Sequence, residues 1–416
     1  MKKHIVMVLA VLLVLSLTAC AANNAVTGNS ADSTVTQDAG TGAARSENGR
    51  TDANPSSSAS TNTAVSTGTA IDGSALFTER DLEQTADLQE AEATALQDGE
   101  TRTVTKAGVY VLSGSVKNAA VIVEAGDEDK VQLVLDGLNV TNDNFPAIYV
   151  KNADKVFVTT AADSENSLAV TGSFTADGST KTDAVIFSRA DLVLNGLGTL
   201  TISSSDNGIS SKDTVKIIGG TLTVSAAGHG IEANDGIAVS DGVLTLAAKQ
   251  DGLHAEKDDD DTVGWIYLGG GVISVSAADD GLHAVSVIRI DGGTLNVAAA
   301  EGIEATWIQI HDGEITVQAS DDGINAGRKS NAYAVCVEIN GGSLTISMGR
   351  GDTDAIDSNG SLIITGGTIR ITAQSPFDYD GELTHTGGTI IVNGTETTEI
   401  TNQFGGMGGP GGGRRG

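Results

Sequence analysis

Gln250-Asp251-Gly252-Leu253-His254, Asp279-Asp280-Gly281-Leu282-His283, Glu301-Gly302-Ile303-Glu304 and Asp321-Asp322-Gly323-Ile324-Asn325 restate one short phrase. Upstream stand Asn207-Gly208-Ile209-Ser210 and His229-Gly230-Ile231-Glu232, and downstream the phrase degenerates to Asp354-Ala355-Ile356-Asp357. The turn glycines recur every 21 or 22 residues, with longer steps of 29 (Gly252 to Gly281) and 32 (Gly323 to Ala355) where loops are inserted. A second turn keeps step: Gly219-Gly220, Asp241-Gly242, Gly270-Gly271, Gly292-Gly293, Gly341-Gly342 and Gly366-Gly367. A period near 20 with two short β-rich runs per repeat is the signature of a stacked all-β solenoid. Each unit then buries its apolar side chains only against the units above and below.

Alternation sets the facing within a repeat. Ile266 and Leu268 match Ile288/Ile290 and Ile308/Ile310 of the following rungs, so these columns point inward, and Trp265, Tyr267, Arg289 and Trp307 point outward. Trp265 and Trp307 fall in one outward column two rungs, about 9 to 10 Å, apart. With Tyr267 and Arg289 beside them they are candidates to stack on and bind sugar rings. The competing reading packs the aromatics under an inserted loop or the N-terminal segment.

Aligned on the turn glycines, Asn207, His229, Asp251, Asp280, Glu301, Asp322 and Asp354 form one column. Two residues beyond the glycine, Ser210, Glu232, His254, His283, Glu304, Asn325 and Asp357 form a second. Rungs are about 4.8 Å apart, and two carboxylates at that distance repel by roughly 3 kcal/mol at an effective dielectric near 20. Cations resolve this, and Ca2+ suits stacked Asp, Glu and Asn oxygens, because it takes six to eight hard donors in flexible geometry. The expected ligands are Asp251, Glu256, Asp279, Asp280, Glu301, Glu304, Asp321, Asp322, Asn325, Asp354 and Asp357. Zinc would want more histidine or cysteine than the column offers, and His254 and His283 are expected to hydrogen-bond neighbouring acids. The bland alternative is a solvated acidic edge.

The bulk composition agrees with this frame. Only 3% of 416 residues are aromatic, which argues against a conventional large core but suits a narrow solenoid interior. The formal net charge of −30 makes nucleic acid and anionic membrane surfaces poor partners. Residues 1–20 read as an export signal: Lys2 and Lys3, an apolar stretch from Ile5 to Leu17, then Leu17-Thr18-Ala19-Cys20. That ending resembles a bacterial lipoprotein box, which implies lipidation at Cys20, attachment to the membrane by the lipid alone, and an extracellular protein reaching into the cell wall. Cys336 is then the one remaining thiol, and no intrachain disulfide is possible. Residues 21–73 are Ser/Thr/Ala-rich and read as a disordered tether. Residues 74–100 are helix-prone, with a helical cap or a loose segment as outcomes. Residues 101–400 form the solenoid, and 401–416 are a Gly-rich tail. A monomer is expected.

From Phe77 onward the chain resembles a Gram-positive surface family of carbohydrate-binding proteins whose characterised member binds cellulose and acidic sugars. The stretches that carry the resemblance include Asp81-Leu82-Glu83, Gly108 to Gly114, Val131 to Gly137, Gln250 to Gly264, Asp279-Asp280-Gly281 and Asp378-Tyr379-Asp380-Gly381. The resemblance implies a right-handed parallel β-helix like that of pectate lyases, with several bound calcium ions. The chain departs from the repeated pattern at Gly228-His229 and at Ala355. Function then reads as a calcium-dependent, non-catalytic binder of cellulose or of acidic sugars such as polygalacturonate. Two alternatives stay open. One is a pectate-lyase-like enzyme, for which Lys257, flanked by Glu256 and by Asp258 to Asp260, is the best candidate base. The other is a structural adhesin without sugar specificity.

Overall fold

The computed structural model describes residues 71–350 and 353–402. The proposed signal, the lipidation site Cys20, nearly all of the tether and most of the Gly-rich tail lie outside the described residues. Among the described residues there is one 3-10 turn, Gly73–Ala75, and every other regular element is a β-strand. No described helix is long and apolar enough to cross a membrane.

The strands form one large, almost wholly parallel sheet that coils on itself in a β-helix-like stack. Each coil contributes three strands, and each strand pairs with its counterpart one coil on. Ile231–Ala233, for example, lies between Asn207–Ser211 and Leu253–Ala255. Gly236–Val239 pairs with Trp265–Leu268, and Val243–Ala248 with Val272–Ser276. Equivalent residues therefore stack: Ile231, Leu253, Leu282, Ile303, Ile324, Ile356 and Phe377 follow one another in strict register and are essentially fully buried. Burial of one such side chain contributes about 1.5–3 kcal/mol, and large apolar neighbours stacked directly above and below leave little room to relax around a deletion.

The turn glycines hold the coils close. A Cβ on Gly252 would stand 2.6 Å from the Gly281 carbonyl oxygen and 2.2 Å from Val275 Cγ1, and one on Gly302 would stand 2.3 Å from the Gly323 oxygen. Any side chain here would force adjacent coils apart, so glycine at this position keeps the flanking acids one rung apart. At the end of the stack, Thr389–Val392 pairs antiparallel with Thr395–Thr397, which covers an edge otherwise open to another chain.

The helix-prone run 74–100 forms no α-helix. Residues 71–84 instead run as an irregular, turn-rich strap over the outside of the face carrying the strands that hold Lys155, Lys216, Tyr267 and Trp307. Glu92–Ala95 then joins the first coil beside Gly108–Lys117. The strap is pinned by Asp81, which is fully buried and takes Lys155 Nζ at 3.0 Å, Lys216 Nζ at 3.2 Å and the Thr78 N–H at 3.1 Å. Burial alone would raise the Asp81 carboxyl, but Lys155, the Thr78 N–H and Lys216 together hold it below its usual range. Gln84 adds a hydrogen bond to the Ile218 carbonyl at 3.0 Å and accepts one from the Gly196 N–H at 2.9 Å.

Candidate functional site

The acids stand at the start of the short strands that follow each glycine turn, and the register aligns them. Asp280 pairs with Glu301. His254, His283, Glu304, Asn325, Asp357 and Asp378 follow one another rung by rung in the second column. Asp378 was not among the expected ligands. Its coil carries Ser375-Pro376-Phe377 in place of the acid-glycine phrase, so only the pairing register reveals it.

The ladder divides into two halves. In the first, imidazoles alternate with carboxylates. Asp251 Oδ2 lies 2.7 Å from His254 Nδ1 and 3.3 Å from His229 Nδ1. His283 Nδ1 lies 2.8 Å from both Asp280 Oδ2 and Glu304 Oε2, and Lys329 Nζ reaches Glu304 Oε1 at 2.6 Å. Burial would lower the His283 pKa, but its hydrogen bonds to Asp280 and Glu304 outweigh this and lift it to about 10. Burial would raise Glu304, but His283 and Lys329 hold it at about 2. Asp251 is likewise held well below the carboxylate range, with His229, His254 and the Asp280 N–H overcoming its burial. The histidines thus bond to neighbouring acids and act as built-in counter-ions, although burial and the Glu304 and Asp251 charges still lift Asp280 to about 6 despite its bond to His283.

In the second half the donors are all oxygen-bearing: Glu301, Asp322, Asn325, Asp354, Asp357, Ser375 and Asp378. Glu301 accepts from Asn325 Nδ2 at 3.0 Å, Asp322 from the Asp354 N–H at 3.0 Å, and Asp357 from Asn359 Nδ2 at 3.1 Å. Ser375 donates to Asp354. Among the described residues no basic side chain forms an ion pair with Glu301, Asp322 or Asp357, whereas His283 and Lys329 both reach Glu304. The consequence is electrostatic. Burial and then the neighbouring carboxylates push Glu301 to about 7, Asp322 to about 6 and Asp357 to about 7. Neutral amide, hydroxyl and carboxylate oxygens with excess negative charge are the donor set that a hard divalent cation prefers, so this half fits calcium chemically.

Three expected ligands stand apart from the ladder. Asp279 and Asp321, one residue ahead of their column partners, are exposed, because strand alternation turns them to the opposite side. Glu256 sits beyond the second column, its Oε2 3.4 Å from His254 Nε2.

The aromatic column is aligned as the alternation requires: Trp265 and Trp307 stand two rungs apart on one face, with Tyr267 beside Arg289. It is not an open platform. Tyr267 and Trp307 are each only 7% exposed, because Ile71, Leu76 and Phe77 of the strap, with Tyr333 of an inserted loop, pack over them. Arg289 is occupied too, bonding Asp291 Oδ1 at 2.7 Å and the Ile71 carbonyl at 2.9 Å. Lys257 is similarly engaged. Its Nζ lies 2.8 Å from Asp235 Oδ1, and that contact, reinforced by Asp259 and Asp260, raises its pKa. It is held protonated, the wrong state for a general base.

The model of the carbohydrate-binding domain-containing protein family matches residues 98–307 and 298–402. A carbohydrate-binding domain-containing protein of Acetivibrio thermocellus is 37% identical over 119 residues, which cover 28% of this chain and 42% of that relative. The match therefore spans less than half of the relative's length. Among solved structures, the polysaccharide lyase-like protein from C. thermocellum (gadolinium derivative) shares 27% identity at a TM-score of 0.49, covering 54% of this chain and 96% of that one.

Proposed function

The chain belongs to the carbohydrate-binding domain-containing protein family, and from that premise we propose that it binds acidic polysaccharide through calcium held on the carboxylate half of its ladder. The observation that carries this reading is the set of carboxyls at Glu301, Asp322 and Asp357, raised by burial and mutual repulsion with no base beside them. Glu301, Asp322, Asn325, Asp354, Asp357 and Asp378 would hold the ions. Bound calcium supplies positive charge that can bridge to a sugar carboxylate, which a protein of net charge −30 would otherwise repel. Neutral cellulose is the weaker candidate, because the aromatics suited to it lie under the strap. We take the coils to be right-handed, as parallel crossovers nearly always are. The protein would act as a monomer, anchored through Cys20 outside the cell.

Affinity electrophoresis through gels containing polygalacturonate tests the reading. Retardation is expected with calcium and is abolished by chelator. Equal mobility with and without calcium, together with retention on cellulose, overturns it.

A further inference from the structure

We propose that His229, Asp251 and His254 form a site for one borderline divalent transition cation of the Zn2+ class, distinct from the oxygen-only half of the ladder. Three of the chain's six histidines stand in adjacent coils on the two columns of the ladder, and two of them converge on one carboxylate oxygen. Nδ1 of His254 and Nδ1 of His229 lie 2.7 and 3.3 Å from Asp251 Oδ2, and donor atoms of the three residues fall within 4.8 Å of one another. Ligand atoms of tetrahedral zinc, at bonds of about 2.0–2.1 Å, stand about 3.3–3.4 Å apart. The 3.3 Å edge already matches. The 2.7 Å edge is a hydrogen bond, and a cation taking the place of its proton would open it by about half an ångström.

The surroundings hold part of this donor set in place. The Asp251 backbone N–H donates to His229 Nδ1 at 3.2 Å, which fixes that nitrogen as the unprotonated one; a cation would take over the lone pair that this N–H now occupies. The Asp280 N–H donates to Asp251 Oδ1 at 2.9 Å, which leaves Oδ2 as the ligand oxygen. On the far side of the His254 ring, Glu256 Oε2 lies 3.4 Å from Nε2. A carboxylate there fixes the tautomer that turns Nδ1 toward the metal, the usual outer support of a ligating histidine. The rings of His229 and His254 are stacked at 4.2 Å and tilted by 29°, so one imidazole has to turn before both in-plane lone pairs meet on one ion, and side chains that are 18% and 15% exposed leave room for that turn and for an ion to enter. Imidazole nitrogen selects borderline cations, whereas calcium takes oxygen. Three protein ligands leave one position for water.

Calorimetric titration of ZnCl2 into the full chain, with calcium in excess throughout, tests the site. One equivalent of zinc is expected to bind. Affinity should fall at least tenfold in His229→Gln or His254→Gln and severalfold in Glu256→Gln, and stay unchanged in His385→Ala, which lies outside the column. Zinc displaced by calcium, or bound equally well by the His229→Gln/His254→Gln double variant, overturns the proposal. Should the variants misfold by circular dichroism, the Co2+ spectrum of the unaltered protein decides. Intense visible bands of low-coordinate, nitrogen-ligated cobalt are expected, and the weak spectrum of oxygen-ligated octahedral cobalt overturns the site.

Discussion

The two halves of the ladder solve the same problem in opposite ways. Both stack acidic residues at the rung spacing, on the same strands and beside the same glycine turns. From His229 to Glu304 the chain supplies its own cations, and His283 sits between two carboxylates at 2.8 Å. From Glu301 to Asp378 it supplies none to Glu301, Asp322 or Asp357, and those carboxyls rise toward neutrality instead. One register position, occupied by His254, His283, Glu304, Asn325, Asp357 and Asp378 in turn, therefore decides whether a coil is self-neutralised or dependent on an external ion. Fold and site are separable here: the glycines set the spacing, and the residue two positions on sets the chemistry.

Removing the built-in cation should have the largest effect. His283→Gln leaves Asp280 and Glu304, both largely buried, without their shared partner, and losing one member of a buried pair costs about 3–5 kcal/mol. Urea unfolding in the presence of chelator should show a loss of that order, whereas Asp357→Asn in the other half should be neutral or stabilising. Equal losses in both would erase the distinction.

The pH dependence of stability should separate the halves next. Glu301, Asp322 and Asp357 have folded pKa values above their unfolded ones, as does Asp280 in the first half. Without metal, the folded state holds protons that the unfolded state has released, so stability falls as pH rises from about 4 to 7. His283 is also raised, but as a base. Its contribution is complete below its unfolded value and is lost as pH climbs toward about 10. Thermal melts across pH should show both declines. Calcium should flatten the lower and His283→Gln should abolish the upper; a single decline untouched by calcium would count against the division.

The smallest effect should come from Lys257→Ala. Its pair with Asp235 is partly exposed on both sides, and such pairs contribute about 0–1 kcal/mol. Neither stability nor calcium-dependent retention by polygalacturonate should change measurably. Loss of sugar binding would mean that Lys257 belongs to the site after all.

What was readable from sequence follows from what the glycines do. Because a Cβ at Gly252 or Gly302 would strike the next coil, the period of those glycines reports the register, and with it the buried Ile/Leu column and both ladder columns. The trajectory of the strap was not readable. Residues 71–84 have no period, and their partners are distant: Leu76 meets Lys216, and Ile71 meets Arg289, 218 positions away. Alternation placed Trp265 and Trp307 correctly on the outside of the coil, but nothing local signals that another segment lies over that outside. Lys257 illustrates the same limit. Its acids at Glu256 and Asp258 to Asp260 are adjacent in sequence, whereas the one that binds it, Asp235, comes from the preceding coil.

The most direct test of the central division compares the unaltered protein with the Asp322→Asn/Asp357→Asn variant, each melted in chelator and in saturating calcium. Ions that bind only the folded state contribute about 2.7 kcal/mol per site at a hundredfold excess over Kd, enough for a rise of several degrees in a domain of this size. The account predicts that rise for the unaltered protein. The variant, relieved of two repelling charges, should melt higher than the unaltered protein in chelator and gain little from calcium. An equal calcium shift in both proteins, or none in either, would contradict it.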